Sequence, residues 1–241
     1  MDNGYELYAG IWLPRSLHEG ETARALALLR GYFAPLRGVN TGYTGGQWDV
    51  FDPSGEREST PNFFTSDDLL SCALLSAEIG GRAAYDLLVG RADHFAERLA
   101  AVQEDVDLAD LAEADFLAAF APVKNLYAAL KDLHGVGETR ATKLIARKRP
   151  RLVPIVDQVV KRTVFRGLPS QWEPLHSALR EDDGALHKRL VALRDEAGLP
   201  AAVSATRVFD VLAWLEGSKK ADGLIRQGSG AARAHSEPPG P

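Results

Sequence analysis

Two short stretches hold the residues whose types and spacing could do chemistry. The first is Leu133-His134-Gly135-Val136-Gly137-Glu138-Thr139-Arg140-Ala141-Thr142-Lys143. A Gly-Val-Gly turn between two apolar helical patterns predicts a tight helical hairpin, because glycine tolerates backbone angles that a Cβ forbids. The helix that starts near Glu138 would present free amide N–H groups, and these with the helix dipole favour an anion such as a phosphate. Arg140 and Lys143, in its first turns, could add charge to the same contact, with Val136 plugging the gap between the helices. Glycine between helices also serves plain turn chemistry. The second stretch is Pro154-Ile155-Val156-Asp157-Gln158-Val159-Val160. Asp157 precedes an apolar helical run, which suits a helix N-cap. It equally suits a carboxylate that stabilises positive charge or deprotonates a water.

The charge distribution frames both stretches. The 241-residue chain has a formal charge of −5, yet residues 131–166 hold ten Lys/Arg against Asp132, Glu138 and Asp157, a local +7. An acidic chain with one concentrated basic segment suits a polyanion site or, equally, a solvated helix face. The single cysteine, Cys72, excludes an internal disulfide, a cysteine-rich zinc site and a four-thiolate iron–sulfur cluster, and suggests a reducing compartment. Scattered histidines show no metal-ligand spacing, so no cofactor is expected. No apolar run reaches the length of about 18 residues that a membrane span needs. The first twenty residues lack a basic region followed by an apolar core. A cytoplasmic protein with no membrane partner is expected.

The elements that must position these residues are mostly helical. Apolar periodicity predicts helices over 21–36, 82–89, 92–103, 108–120, 123–133, 172–180, 184–197 and 204–215. Thr65-Ser66-Asp67-Asp68 reads as a helix start with a hydroxyl cap and first-turn carboxylates. The following residues 69–79 are apolar nearly all round, which predicts a central buried helix ended by Gly80-Gly81. Residues 40–64, rich in Gly, Thr and Asp, predict a small irregular or β-hairpin insertion. The chain divides into 1–64, an N-terminal helix plus loop; 65–168, a helical core; 169–218, C-terminal helices packed on it; and 219–241, a tail without apolar periodicity, predicted to be disordered.

Leu133, Gly135, Val136, Gly137 and Ala141, followed at the matching interval by Pro154-Ile155-Val156-Asp157, resemble the helix-hairpin-helix motif and aspartate of the helix-hairpin-helix DNA glycosylases. Asp67-Asp68-Leu69-Leu70 through Leu74-Leu75-Ser76-Ala77-Glu78 is similar to that superfamily's buried helix ending in Leu-Leu-Ser-Ala-Gln, whose glutamine enters DNA. The resemblance spans roughly residues 66–166 in the family's order and marks a divergent branch. It implies a mostly α, glycosylase-like helical bundle. It implies DNA contact through Gly135, Val136, Gly137, Thr139, Arg140, Lys143 and Glu78, and catalysis by Asp157.

The departures carry their own implications. Thr139 stands where bifunctional members carry a catalytic lysine, and Lys143 lies one turn beyond that position. The resemblance therefore implies a monofunctional hydrolase using an activated water. His134 replaces a proline. Glu78 replaces the glutamine, where DNA phosphates would repel a carboxylate. Breaking a base–sugar bond builds positive charge on the sugar, which Asp157 would stabilise, and the base must first be flipped into a pocket. Tyr43, Trp48 and Tyr127 are candidate pocket aromatics. Two rival readings stay open: a non-catalytic nucleic-acid-binding module, and an enzyme acting on a nucleoside, tRNA or other phosphate-bearing substrate.

Overall fold

A computed structural model describes residues 4–36 and 42–234. The chain opens with a two-stranded antiparallel ribbon, β1 (Tyr5–Tyr8) and β2 (Ile11–Pro14), in which Tyr5 pairs with Pro14 and Tyr8 with Ile11. Helices follow: α1 (Thr22–Tyr32), α2 (Ser66–Leu74), α3 (Gly81–Tyr85), α4 (Ala92–Ala100), α5 (Phe116–Lys131), α6 (Glu138–Lys148), α7 (Gln158–Thr163), α8 (Trp172–Glu196), α9 (Ala205–Gly217) and α10 (Ala221–Ala234). The architecture is mostly α, as the periodicity predicts. One apolar core runs from Ile11 through the buried faces of α1, α5, α6, α8 and α9 to Ala221. α6 lies between α2 and α5, and α9 packs on α1, α7 and α8.

Local chemistry explains several boundaries. Thr65 caps α2 through a reciprocal box: its hydroxyl accepts from the Asp68 amide, and Asp68 Oδ2 accepts from the Thr65 amide at 2.9 Å. α8 is broken where Asp182, Asp183 and Gly184 all take positive φ, which restores the two helices read at 172–180 and 184–197. Positive φ suits Asp and Gly better than most residues.

The structure departs from the sequence reading at four places. Residues 42–64 form no strand; they hold a single turn of 3-10 helix at Thr44–Gln47 within an irregular loop, while the hairpin ribbon lies at residues 5–14. Residues 40 and 41 of the expected insertion lie outside the described residues. α2 stops at Leu74, short of residue 79, and exposes Leu70 and Ala73, so it is amphipathic rather than central. The helices read at 108–120 and 123–133 are instead two short turns and one continuous helix, Phe116–Lys131, that carries Pro122 inside it. Residues 221–234 of the expected tail are helical: Leu224 fits against Gly31 of α1, where a Cβ would sit 2.8 Å from Leu224 Cγ. Residues 235–241 of that tail lie outside the described residues.

Candidate functional site

The hairpin forms where the sequence places it. α5 ends at Lys131, Val136 N–H donates to the Leu133 carbonyl at 3.1 Å, and α6 begins at Glu138. Val136 is buried in the core between the two helices, whereas Gly135 and Gly137 are exposed. Only Gly135 needs its lack of a Cβ for conformation, at φ +77°. Gly137, at φ −90°, is ordinary extended backbone with open space around its Cα, and it offers α6 no side-chain cap. The first-turn amides of α6 therefore have no capping side chain.

The cations around the hairpin are not the free phosphate hands that their spacing suggests. Arg140 Nε donates to the Glu78 carbonyl at 2.8 Å and its Nη1 to the Gly135 carbonyl at 3.1 Å. Lys143, 6 % exposed, turns inward: its ammonium donates to the Leu75 carbonyl at 2.7 Å. Burial pushes its pKa below the usual lysine value. Glu78 is exposed beside the hairpin, in the loop after α2 rather than at a helix end.

Much of the local +7 is likewise internal. Lys143, Arg147, Lys148 and Arg149 are buried. Arg147 Nε sits 3.2 Å from Asp68 Oδ1 and Lys148 Nζ 2.6 Å from Asp68 Oδ2. Arg147 also donates to the Trp48 and Phe51 carbonyls, and Arg149 to those of Leu99 and Val102. Arg147, Lys148 and Arg149 staple the 42–64 loop and the end of α4 to the end of α6, while Lys143 ties the loop after α2. Lys131, Arg151, Arg162 and Arg166 of the same segment remain exposed.

Asp157 takes the capping role and also borders a cavity. It is the N-cap of α7, with Oδ1 accepting the Val159 amide at 2.8 Å. It also lines a cavity of about 320 Å³ together with Thr139 and Lys143 of α6 and Ser76 after α2. Two features fix Asp157 there. Thr142 Oγ1 accepts the Val156 amide at 3.1 Å, and Trp172 Nε1 donates to the Pro154 carbonyl at 3.4 Å, so the segment leading to Asp157 is tied to α6 and α8. Glu138 joins the hairpin to α7 through Lys161 at 3.0 Å and Gln158 at 2.9 Å.

The aromatic wall comes from elsewhere in the chain. Tyr43 stacks on Tyr32 with ring centres 5.1 Å apart, and Trp214 of α9 stands edge-on to Tyr43 at 6.0 Å. Lys220 lies 4.5 Å over the Trp214 ring at the rim. Of the three candidate pocket aromatics, Tyr43 lines this cavity. Trp48 is buried beneath it against Ala146 and Ile155, and Tyr127 packs edge-on to Trp172.

The floor holds side chains that the hairpin motif does not include. Arg207 of α9, almost fully buried, donates from Nη1 to Asp210 Oδ2 at 2.5 Å and from Nε to Asp49 Oδ2 at 3.2 Å. Its Nη2 donates to the Gly45 carbonyl at 2.9 Å and the Tyr32 hydroxyl at 3.2 Å. Burial pushes the Asp210 carboxyl up to about 6, against the pull of Arg207, while the charge of Asp157 pushes the same way as burial. The signal was present as Asp210 inside the apolar run Val208–Trp214, which reads most simply as a local cap or pair. Among the described residues no group of three or more His, Cys, Asp or Glu is placed to hold a metal ion, and no helix is long and apolar enough to cross a membrane.

No curated protein and no solved structure matches the chain. A family model described as "Family of unknown function (DUF6308)" matches residues 25–217. The matched span takes in the hairpin, Asp157 and the Arg207–Asp210 floor, while Lys220 and α10 lie beyond it. The chain belongs to the DUF6308 family.

Proposed function

We propose that this protein binds DNA through the exposed bend at 135–137 and hydrolyses a base–sugar N-glycosidic bond in the adjoining cavity. The observation that carries the proposal is one juxtaposition: α6 starts at an open glycine bend on the surface, and Thr139, Lys143 and Asp157, from that helix and from the cap of α7, line a single cavity beside it. A backbone phosphate on the α6 amides would bring a rotated nucleotide over the pocket mouth. Its base would enter between Tyr43 and the polar floor. Asp157 Oδ1 is occupied by the Val159 amide, and among the described residues no group donates to Oδ2. That second oxygen faces the sugar's developing positive charge and accepts a proton from the attacking water. No lysine stands at Thr139. Base removal by water is the simplest chemistry for this set.

The proposal is tested with duplexes that each carry one damaged base, incubated with the wild type and with Asp157→Asn. Asn retains the cap oxygen, so α7 stays in place while the charge is lost. Base release by the wild type alone, with equal duplex binding, supports the proposal. Absence of duplex binding even at low salt rejects it. A second reading, an enzyme for a nucleoside or small phosphate-bearing substrate, draws on one observation: Arg140 Nε and Nη1 and the Lys143 ammonium donate to carbonyls of the protein itself, which leaves fewer donors to grip a polymer. Binding of mononucleotides in preference to duplex would favour it.

A further inference from the structure

Three basic side chains meet on one face of α4, outside the hairpin motif. Arg91 precedes the helix, and His94 and Arg98 follow it by three and seven residues, a spacing that stacks them along one side. Arg91 Nη2 lies 3.0 Å from His94 Nε2, and Arg98 Nη1 lies 3.1 Å from His94 Nδ1. A neutral imidazole has one ring nitrogen with a free lone pair, so one guanidinium meets an N–H instead of an acceptor; a protonated imidazole accepts from neither. The arginines find little elsewhere. Arg98 Nη1 also donates to the His94 carbonyl at 3.1 Å, and Arg91 lies over the Phe95 ring at 5.1 Å. Among the described residues neither forms an ion pair, and Arg91 Nε and Nη1 and Arg98 Nε and Nη2 have no acceptor. The cluster borders a groove of about 590 Å³ between α4 and α5, walled on the far side by Pro122, Asn125, Ala128 and Asp132. Glu97 and Asp132 are the carboxylates on its border, both exposed. Asp86, in the segment before α4, pairs with Arg82 at 3.6 Å. With His94 neutral the border is balanced in formal charge. What it lacks is an acceptor for the guanidinium N–H groups. Burial, with the charges of Arg98 and Arg91, holds the His94 imidazole below its ordinary value against the pull of Glu97.

We infer that this groove is a phosphate-binding site, in which one tetrahedral oxyanion is held jointly by Arg91, His94 and Arg98. Its oxygens supply the acceptors that a single imidazole cannot, and a guanidinium fork matches two oxygens of a phosphate at once. The anion also favours the protonated imidazole, which then donates alongside the arginines and tips the border to net positive charge. A phosphate thus gives three crowded donors one shared acceptor. The site stands on its own side chains, whether or not the N-glycosidic reading holds. Two sources carry such a group. One is a phosphodiester of a nucleic acid that also meets the bend, since three Cα steps put Asp132 within about 11 Å of Gly135. The other is a small phosphate ester.

Sulfate is the probe, because it is tetrahedral and stays a dianion across the neutral range. The histidine ring signals of the full chain are followed by NMR through a pH titration, in sulfate and in chloride of equal ionic strength. Sulfate should raise the His94 midpoint by about half a pH unit or more, which is a preference of about threefold or more for the protonated ring. His18 and His187, which do not border the groove, should titrate alike in both salts. Arg98→Gln should remove the sulfate effect; if that variant fails to fold, Arg91→Gln is read in its place. At a fixed pH near neutrality the His94 signal is then followed against a plain duplex and against ribose 5-phosphate. A saturating response to the duplex assigns a nucleic-acid backbone, a response to ribose 5-phosphate alone assigns a small phosphate ester, and either supports the site. An unmoved His94 midpoint in sulfate, or a shift that persists undiminished in the arginine variant, overturns it. A response to sulfate with none to either phosphate marks an adventitious ion only and overturns it as well. Failure of this site leaves the test of Asp157 as it stands.

Discussion

Arg140 holds the backbone of Glu78: its Nε lies 2.8 Å from that carbonyl, while its Nη1 reaches Gly135 across the turn. A residue that reads from its position as a phosphate hand is a strut between the loop after α2 and the hairpin. Arg140→Ala should lower stability by about 1–2 kcal/mol, the cost of hydrogen bonds to a charged group, measured by urea unfolding. The slope of log affinity against log salt should barely change. A direct phosphate contact would instead reduce that slope by about 1.

The two glycines of the bend should respond differently. Gly135→Ala forces a Cβ into φ +77° and should cost about 1–2 kcal/mol. Gly137→Ala meets no neighbour and no strained angle, so stability should move by less than about 0.5 kcal/mol. It does put a methyl group on the surface proposed to meet a phosphate. Thermal unfolding and duplex affinity, measured on both variants, separate the two effects: Gly135 should lose stability, and Gly137 should lose binding.

Arg147 and Asp68 form a pair with both side chains almost fully buried, and Lys148 joins them. Arg147→Met leaves Asp68 with one cation and strips the Trp48 and Phe51 carbonyls of their donor. Loss of one partner from a buried pair costs on the order of 3–5 kcal/mol. The unfolding midpoint should fall accordingly. A shift below about 1 kcal/mol would mean that the guanidinium reaches solvent.

Asp210 should leave a mark on the pH dependence of stability. Its carboxyl is pushed up to about 6 in the folded chain from an ordinary value near 4. Between those values the folded state binds the extra proton, so the contribution of this group to stability is greatest below about pH 4, declines as pH rises to about 6 and changes no further above it. Asp210→Asn should remove that decline. Unfolding free energies at pH 4.5 and 7.5 for both proteins measure it.

The hairpin and its aspartate were legible because they are local. Gly135, Val136 and Gly137 specify a turn by themselves, and Asp157 announces a helix start. The mostly α character followed from periodicity, including the two segments of α8. What could not be read was pairing over distance. Nothing near Arg147 in the sequence shows that Asp68 neutralises it, so a buried staple looked like surface charge. Lys143 was placed on the correct helix, yet its inward turn depends on the Leu75 carbonyl of a distant loop. The helix over 221–234 escaped notice because its apolar positions, Leu224 and Ile225, are few, and the Gly31 groove that receives Leu224 belongs to α1. Asp210 was visible as an acid in an apolar run one helical turn from Arg207, but the meeting of Arg207 with Asp49 exists only in three dimensions.

The central claim is that the bend delivers a nucleotide sugar to the charge of Asp157. The ratio of affinities for duplexes carrying a cationic pyrrolidine or a neutral tetrahydrofuran abasic analogue, measured at pH 7.5 for the wild type and Asp157→Asn, tests it most directly. The wild type should prefer the cationic duplex at least about tenfold, an energy of about 1.4 kcal/mol, and Asp157→Asn should bind both alike at the wild-type neutral affinity. Equal binding of both duplexes by the wild type, or a preference that survives in Asp157→Asn, would contradict it.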